Sequence, residues 1–315
     1  VATRLVVEAT DVGLRLDAFL FRREVVPSAA AARRVIAEEI VLVEGKPGKK
    51  GHHLAAGQVV EITAPVAPQV VPAPTAEIEV TVLYVDDDLV AVYKPAGVPS
   101  HPLRAGEGAS AAGALMARFP ECSLASPDPR EGGLVHRLDR GTTGVLLAAR
   151  RREIWAGLRT ALAAPDCAKT YRAEVVGRFP VIAGGERDFV SPGPGPGTLV
   201  VAVPIGRMGR HGSRVKLGGG RQPLPAVTEV TLLKQNSTTA LVEARLSKGR
   251  THQVRAHLAY LGVPVVGDST YGEGDEGSEP PSILHLHAAA IEFRHPTTGQ
   301  PVKIEAPLPA WACVT

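Results

Sequence analysis

The stretch His136-Arg137-Leu138-Asp139-Arg140-Gly141-Thr142-Thr143-Gly144 sets one carboxylate, Asp139, between two arginines, and the apolar run Val145-Leu146-Leu147-Ala148-Ala149 follows at once. Nearby positive charge favours the ionised form of a carboxylate. Gly133 before the stretch and Gly144 at its end let the backbone turn sharply, so the acid is expected on a tight loop that feeds a strand. An ionised carboxylate fixed in a cleft can act as a nucleophile or an electrostatic stabiliser. The same residues also suit a turn acid neutralised by its neighbours, because ion pairs perturb acids that do no chemistry. The choice between the two rests on the other segments.

Upstream, Lys94-Pro95-Ala96-Gly97-Val98-Pro99-Ser100-His101-Pro102 reads as a rigid turn after the strand-like run 89–94, with Lys94 placing a positive charge at the strand end. Downstream, Lys169-Thr170-Tyr171-Arg172-Ala173-Glu174 puts a tyrosine on a strand, where it can stack on a base or exchange a hydrogen bond. In Leu246-Ser247-Lys248-Gly249-Arg250-Thr251-His252-Gln253-Val254-Arg255-Ala256-His257-Leu258, a helix beginning near Thr251 places Thr251 and Arg255 on one face, and likewise Gln253 and His257. Lys248 and Arg250 gather at its start, where they suit phosphate. His252, His257, His285 and His287 raise a metal site and a metal-dependent hydrolase as a third reading, although an i,i+5 pair is poor ligand spacing on a helix. Arg150-Arg151-Arg152 fits a solvated helix start or an RNA-facing patch.

With 315 residues the chain has room for one large domain and a small one. Its formal net charge of +3 permits nucleic-acid binding through local patches without demanding it. Cys122, Cys167 and Cys313 stand too far apart for a CxxC pair, and no disulfide framework or zinc-ligand spacing appears, which fits a reducing, cytoplasmic setting. The start, Val1-Ala2-Thr3-Arg4, lacks signal-peptide architecture, and no apolar run approaches a membrane span. Residues 1–64 read as a small unit. Arg15-Leu16-Asp17-Ala18-Phe19-Leu20 opens one helix, Pro27-Ser28 breaks the chain and caps a second over 29–39, and strands follow near 40–43 and before 62. Pro65, Pro68, Pro72 and Pro74 mark a semi-rigid linker over 65–76. From 77 to 315 strands and helices mix: strands at 78–85, 89–94, 145–149 and 171–176, helices at 109–119 and 150–162, and a Gly-, Pro- and Arg-rich segment at 181–224.

In this order the segments resemble the motifs of the RluA family of RNA pseudouridine synthases: its KPAG turn at Lys94, its HRLD motif at His136, its K-x-Y-x-A strand at Lys169 and its GRTHQIR helix start at Gly249. The run Gly267-Asp268-Ser269-Thr270-Tyr271-Gly272 and the C-terminal elements Phe293-Arg294-His295-Pro296-Thr297-Thr298-Gly299 and Ala306-Pro307-Leu308-Pro309 continue the likeness. The resemblance implies an α+β fold with a large mixed, mainly antiparallel sheet and flanking helices. It implies isomerisation of uridine in RNA to its C5-glycoside, with no cofactor and no metal. Asp139 would attack the target nucleotide, Arg255 would pair with it, and Tyr171 would face the base. Arg137 would enter the RNA helix and take the space of a flipped base. His136, Arg140, Lys94, Lys248 and Arg250 are further expected RNA contacts. Where the family usually has Asp, this chain has Gly141, which removes a negative charge and is expected to loosen the loop.

The span from Arg15-Leu16-Asp17 to Gly57-Gln58-Val59 resembles the S4 RNA-binding domain. It departs from that pattern at Ser28-Ala29-Ala30-Ala31-Ala32, where basic residues arrive only at Arg33 and Arg34. Glu39 and Glu44 replace the usual glycine and asparagine of the turns. An accessory domain with an ordinary charged surface fits the same residues. The expected partner is RNA, with large-subunit ribosomal RNA favoured by the S4-like domain and tRNA as the alternative. A monomer without membrane association is expected. A non-catalytic RNA-binding or ribosome-assembly factor on the same scaffold is the competing class.

Overall fold

The computed structural model describes residues 3–26, 29–49, 51–64, 75, 77–102, 109–180, 188–208, 214–272 and 283–314. The chain divides into two compact units, Val1–Pro72 with Ser126–Arg130, and Ala73–Ala125 with Glu131–Thr315. Nearly all of the expected proline linker, and the expected Pro27-Ser28 cap, lie outside the described residues.

In the first unit, strand β1 (Thr3–Val6) precedes helices α1 (Leu16–Arg22) and α2 (Ala29–Ala37), followed by strands β2 (Val41–Val43), β3 (Lys46–Pro47) and β4 (Val59–Ile62). The strands form an antiparallel sheet in the order β1-β4-β2-β3. Leu16, Phe19 and Leu20 of α1 and Ala32, Val35 and Ile36 of α2 recur with helical period and are buried together with Val41, Val60 and Ile62. Helix α2 stops before Glu39, which has φ 58°. Glu44 and Gly45, at φ 51° and 72°, make the two-residue turn between β2 and β3. Both glutamates therefore occupy left-handed positions that favour Gly or Asn.

The second unit holds a ten-stranded sheet. Its strands are β5 (Thr81–Val85), β6 (Leu89–Lys94), β7 (Thr143–Ala149), β8 (Ala168–Val176), β9 (Val190–Pro192), β10 (Thr198–Val201), β14 (Thr228–Gln235), β15 (Thr239–Leu246), β16 (Leu286–Arg294) and β17 (Pro301–Glu305). They run in the order β5-β6-β7-β16-β8-β15-β14-β10-β9, with β17 on the far half of β16. Only the β7–β16 pairing is parallel, so the sheet is mixed and mainly antiparallel, as the resemblance implies. A separate sheet joins β11 (Ile205–Arg207), β12 (Val215–Leu217) and β13 (Arg221–Leu224).

The apolar run after Asp139 is explained by burial on both faces. Val145, Leu147 and Ala149 pack with Leu158 of α4 (Arg152–Ala161), whereas Leu146 and Ala148 pack with Ala111 and Leu115 of α3 (Ala111–Arg118). Helix α5 (Gln253–Tyr260) lays Val254 and Leu258 on Ala173, Val242 and Ala244. Gly144, at φ 112°, is required where β7 meets β16, because a Cβ there would lie 2.1 Å from the Ala288 carbonyl oxygen. Among the described residues, no helix is long and apolar enough to cross a membrane.

Candidate active site

Asp139 sits on the loop between the buried segment Leu134–Val135 and β7, and the loop is fastened on both sides of it. Ser100 Oγ donates to the Leu138 carbonyl at 2.8 Å and accepts from the Leu138 N–H at 3.0 Å. Lys94 Nζ donates to the carbonyls of Pro95, Val98 and Arg140 at 2.8, 2.7 and 3.1 Å, and Arg140 Nε donates to the Gly97 carbonyl at 2.8 Å. The Lys94–Ser100 turn is thus a clamp for the acid loop.

This corrects the expectation that Lys94 touches RNA. The side chain is fully buried, and three carbonyls consume its donors. Burial pushes its pKa down to about 8, against the pull of the Asp139 charge. His136 is corrected likewise. Its Nε2 accepts the Leu147 N–H at 3.0 Å, so that nitrogen is unprotonated, and burial followed by the Lys169 charge pushes its pKa down to about 3. Gly141 packs closely against Leu284. A Cβ there would lie 3.0 Å from Leu284 Cβ, so the glycine admits close packing.

Arg255 reaches Asp139 from α5. Its Nη1 donates to Asp139 Oδ2 at 2.9 Å, while Nε and Nη2 form a bidentate pair with Asp268 at 2.7 Å each. Asp268, whose side chain is fully buried, also accepts from the N–H groups of Thr270 and Tyr271. Burial opposes both charges, but the Asp268 and Asp139 hydrogen bonds hold the Arg255 pKa above its ordinary value, and Arg255 holds the Asp268 pKa below its own. The expected Arg255–Asp139 pair is therefore present, with a second carboxylate fixing the guanidinium plane. This role of Asp268 is not legible in the sequence. The only signal was its place in the Gly267–Gly272 run.

A cleft lined by Arg137, Asp139, Tyr171, Arg250, His252 and Leu286 opens over the carboxylate. Tyr171 stands on β8, and burial together with the Asp139 charge raises its pKa, so the hydroxyl keeps its proton. Arg137 is exposed at the cleft, Arg140 and Lys248 are exposed but do not line it, and Arg250 is half-buried and donates to the Pro225 carbonyl at 3.3 Å. Arg33 and Arg34 belong to the first unit, exposed on α2, with Arg34 3.7 Å from Glu38.

The four histidines go to separate places. His252 faces Asp139 at 3.6 Å; His257 bonds Thr228 Oγ1 and the Val203 carbonyl; His285 bonds Glu174; His287 bonds Thr143 Oγ1. Among the described residues, no three His, Cys, Asp or Glu side chains gather as a ligand set. Arg150 and Arg151 are held by Glu121 and Asp88, which favours an anchored helix start over an RNA patch.

A sequence profile described as RNA pseudouridylate synthase matches residues 88–260. The chain is 32% identical to ribosomal large subunit pseudouridine synthase D of Xanthomonas campestris pv. campestris, over 93% of this chain and 91% of that protein. It is 33% identical to an uncharacterised RNA pseudouridine synthase of Mycobacterium bovis, over 95% and 92%. Among solved structures it is similar to human RNA pseudouridylate synthase domain containing 1, with a TM-score of 0.55 and 25% identity over 73% of this chain and 84% of that one.

Proposed function

The chain belongs to the RluA family of RNA pseudouridine synthases and is an enzyme that isomerises uridine in RNA, and from that premise we infer that Asp139 is its catalytic carboxylate and large-subunit ribosomal RNA its target. The reaction breaks the N1–C1′ bond, turns the uracil and forms C5–C1′, so the hydrogen leaving C5 is matched by one gained at N1. Electrons and phosphoryl groups neither enter nor leave, and no cofactor is implied. The observation that carries the reading is the Asp139–Arg255 contact at the floor of the cleft: one carboxylate oxygen is held by a fixed guanidinium, and the carboxylate still faces open space.

The uridine must leave the stack to reach Asp139, at an unstacking cost of about a few kcal/mol. Arg137, exposed beside the acid, takes the space the base vacates. Tyr171 contacts the flipped base, and its protonated hydroxyl can donate to it. Arg140, Lys248 and Arg250 meet phosphates around the cleft. Residues 1–64 act as an S4-like RNA-binding module, with Arg33 and Arg34 on its exposed helix face. The ribosomal target draws support from the relative named above. The enzyme works as a monomer in the cytoplasm, a setting consistent with its three unpaired cysteines.

Mapping pseudouridines in total RNA from cells with and without the gene tests this directly. At least one site in large-subunit ribosomal RNA is expected to disappear and to return with the wild-type gene. Loss confined to tRNA would move the target, and no loss at any site would favour the binding-factor class.

A further inference from the structure

Arg255 accounts for one oxygen of Asp139; the other faces His252. His252 Nε2 lies 3.6 Å from Asp139 Oδ1, and its Nδ1 lies 3.1 Å from the Tyr271 hydroxyl oxygen. That same oxygen accepts the Val215 N–H at 3.0 Å. The Val215 N–H occupies one lone pair of that oxygen and leaves the hydroxyl proton free to donate to His252 Nδ1. With Nδ1 as the acceptor, the proton of the neutral ring sits on Nε2, aimed at Asp139 Oδ1. Burial pushes the His252 pKa down, which keeps the ring neutral.

Two further features mark this pair as built. His252 has φ 55° at the head of α5, a left-handed conformation that is strained for a non-glycine residue. Strain of this kind persists only where its surroundings enforce it. The Tyr271 ring is also held on three sides: edge-on to His252 with centroids 5.8 Å apart, and 5.3 Å from the guanidinium carbons of Arg214 and Arg255. Val215 and Arg214 belong to the β11–β13 sheet region, in which Arg207, Arg214, Lys216 and Arg221 are exposed and no acidic residue occurs from 205 to 224.

We propose that His252 and Tyr271 are positioning residues that hold the second oxygen of Asp139 and tie its orientation to the basic three-stranded sheet through the Val215 N–H. The 3.6 Å separation is longer than a hydrogen bond. It closes when RNA seats against the sheet, since catalytic contacts often tighten only in the substrate complex. The inference rests on Asp139 being the catalytic carboxylate.

The test is single-turnover pseudouridine formation at saturating RNA, with RNA affinity measured in parallel on the full chain. Tyr271→Phe keeps the ring and its cation contacts and removes only the hydroxyl. It is expected to slow the saturated rate on the order of tenfold with affinity within about twofold of wild type. His252→Ala should slow it by a similar factor, and the double variant by no more than either single one, because the two act in series. His252→Gln, which retains an N–H donor near the place of Nε2, should recover part of the rate. A wild-type rate in Tyr271→Phe, loss of rate and affinity together, or fully multiplicative effects would each overturn the pair. Asp139→Asn in the same assay separates the two ideas: turnover there removes the function reading itself, whereas an inactive Asp139→Asn beside a fully active Tyr271→Phe removes only the positioning pair.

Discussion

Two acid sites in the second unit lie in similar surroundings and differ in their free lone pairs. Asp86 and Asp88, like Asp139, sit among cations and lie beside an open pocket. Asp86 Oδ1 accepts the N–H groups of Asp88 and Leu89, and Oδ2 meets the Tyr84 hydroxyl at 2.7 Å and His295 Nε2 at 3.1 Å. Asp88 meets Arg151 with one oxygen and the Thr297 hydroxyl with the other. Among the described residues, Asp139 receives one hydrogen bond, from Arg255. The first cluster is spent on structure: it joins the β5–β6 turn to the His295–Gln300 turn and to the start of α4. The second keeps acceptor capacity for a substrate. Charge and concavity do not tell a working carboxylate from a structural one; the tally of its hydrogen bonds does.

The contrast can be broken from either side. Arg255→Ala has the largest expected effect. It leaves Asp268 buried and uncompensated, at a cost of about 3–5 kcal/mol, and it removes turnover. Denaturant unfolding measures the first and pseudouridine formation the second. A stable Arg255→Ala protein would mean that Asp268 does not depend on the guanidinium. Asp86→Ala strands the Asp88 and Leu89 N–H groups and should lower stability by about 1–3 kcal/mol. The molecules that remain folded should turn over RNA at the wild-type rate. Impaired turnover in folded protein would give that cluster a function denied to it above.

Acid sharpens the comparison through the histidines. Burial holds the pKa of His257 below its ordinary value and takes that of His287 to about 4 and that of His136 to about 3. Their stabilising effect is complete above about pH 6.5 and drains away as pH falls toward those values, because the unfolded chain binds the protons first. Each such group contributes a slope of about 1.4 kcal/mol per pH unit within its window. The carboxylates Asp86, Asp88 and Asp268 have lowered pKa values, so their share is lost only below their ordinary range. Unfolding free energy should therefore already fall between pH 6.5 and 5, and His287→Gln should flatten that fall. A flat profile would place these rings in water. The smallest effect expected is Glu39→Gly, which relieves a left-handed glutamate in the first unit and should stabilise it by about 0.5–1 kcal/mol, read as a rise in its melting temperature.

How much of this could be read from the residues depended on whether a pattern or motif carried it, not on distance along the chain. The strands 89–94 and 145–149 announce themselves by apolar pattern, and the Asp139–Arg255 pair was implied by the family resemblance. The role of Asp268 was not, because its bond to Arg255 is made by the fold and no motif announced it. Lys94 and His136 were misjudged for a related reason. A sequence gives the charge of a lysine or the titratability of a histidine but not the direction in which the group points, and both turn inward to backbone atoms. The leading strand β1 was missed because four residues with mostly exposed side chains carry little period-two signal. Glu39 and Glu44 ran the other way: their departure from the turn pattern was plain in the sequence, and the structure shows that the backbone kept its left-handed turns despite it.

The central claim is that Asp139 is held for chemistry and not for the fold. Asp139→Asn, assayed for pseudouridine formation on a competent ribosomal RNA and for thermal unfolding in the same preparation, tests it most directly. Turnover is expected to fall on the order of 10³-fold or more with the melting temperature essentially unchanged. Retained turnover, or a loss of activity fully explained by unfolding, would contradict it.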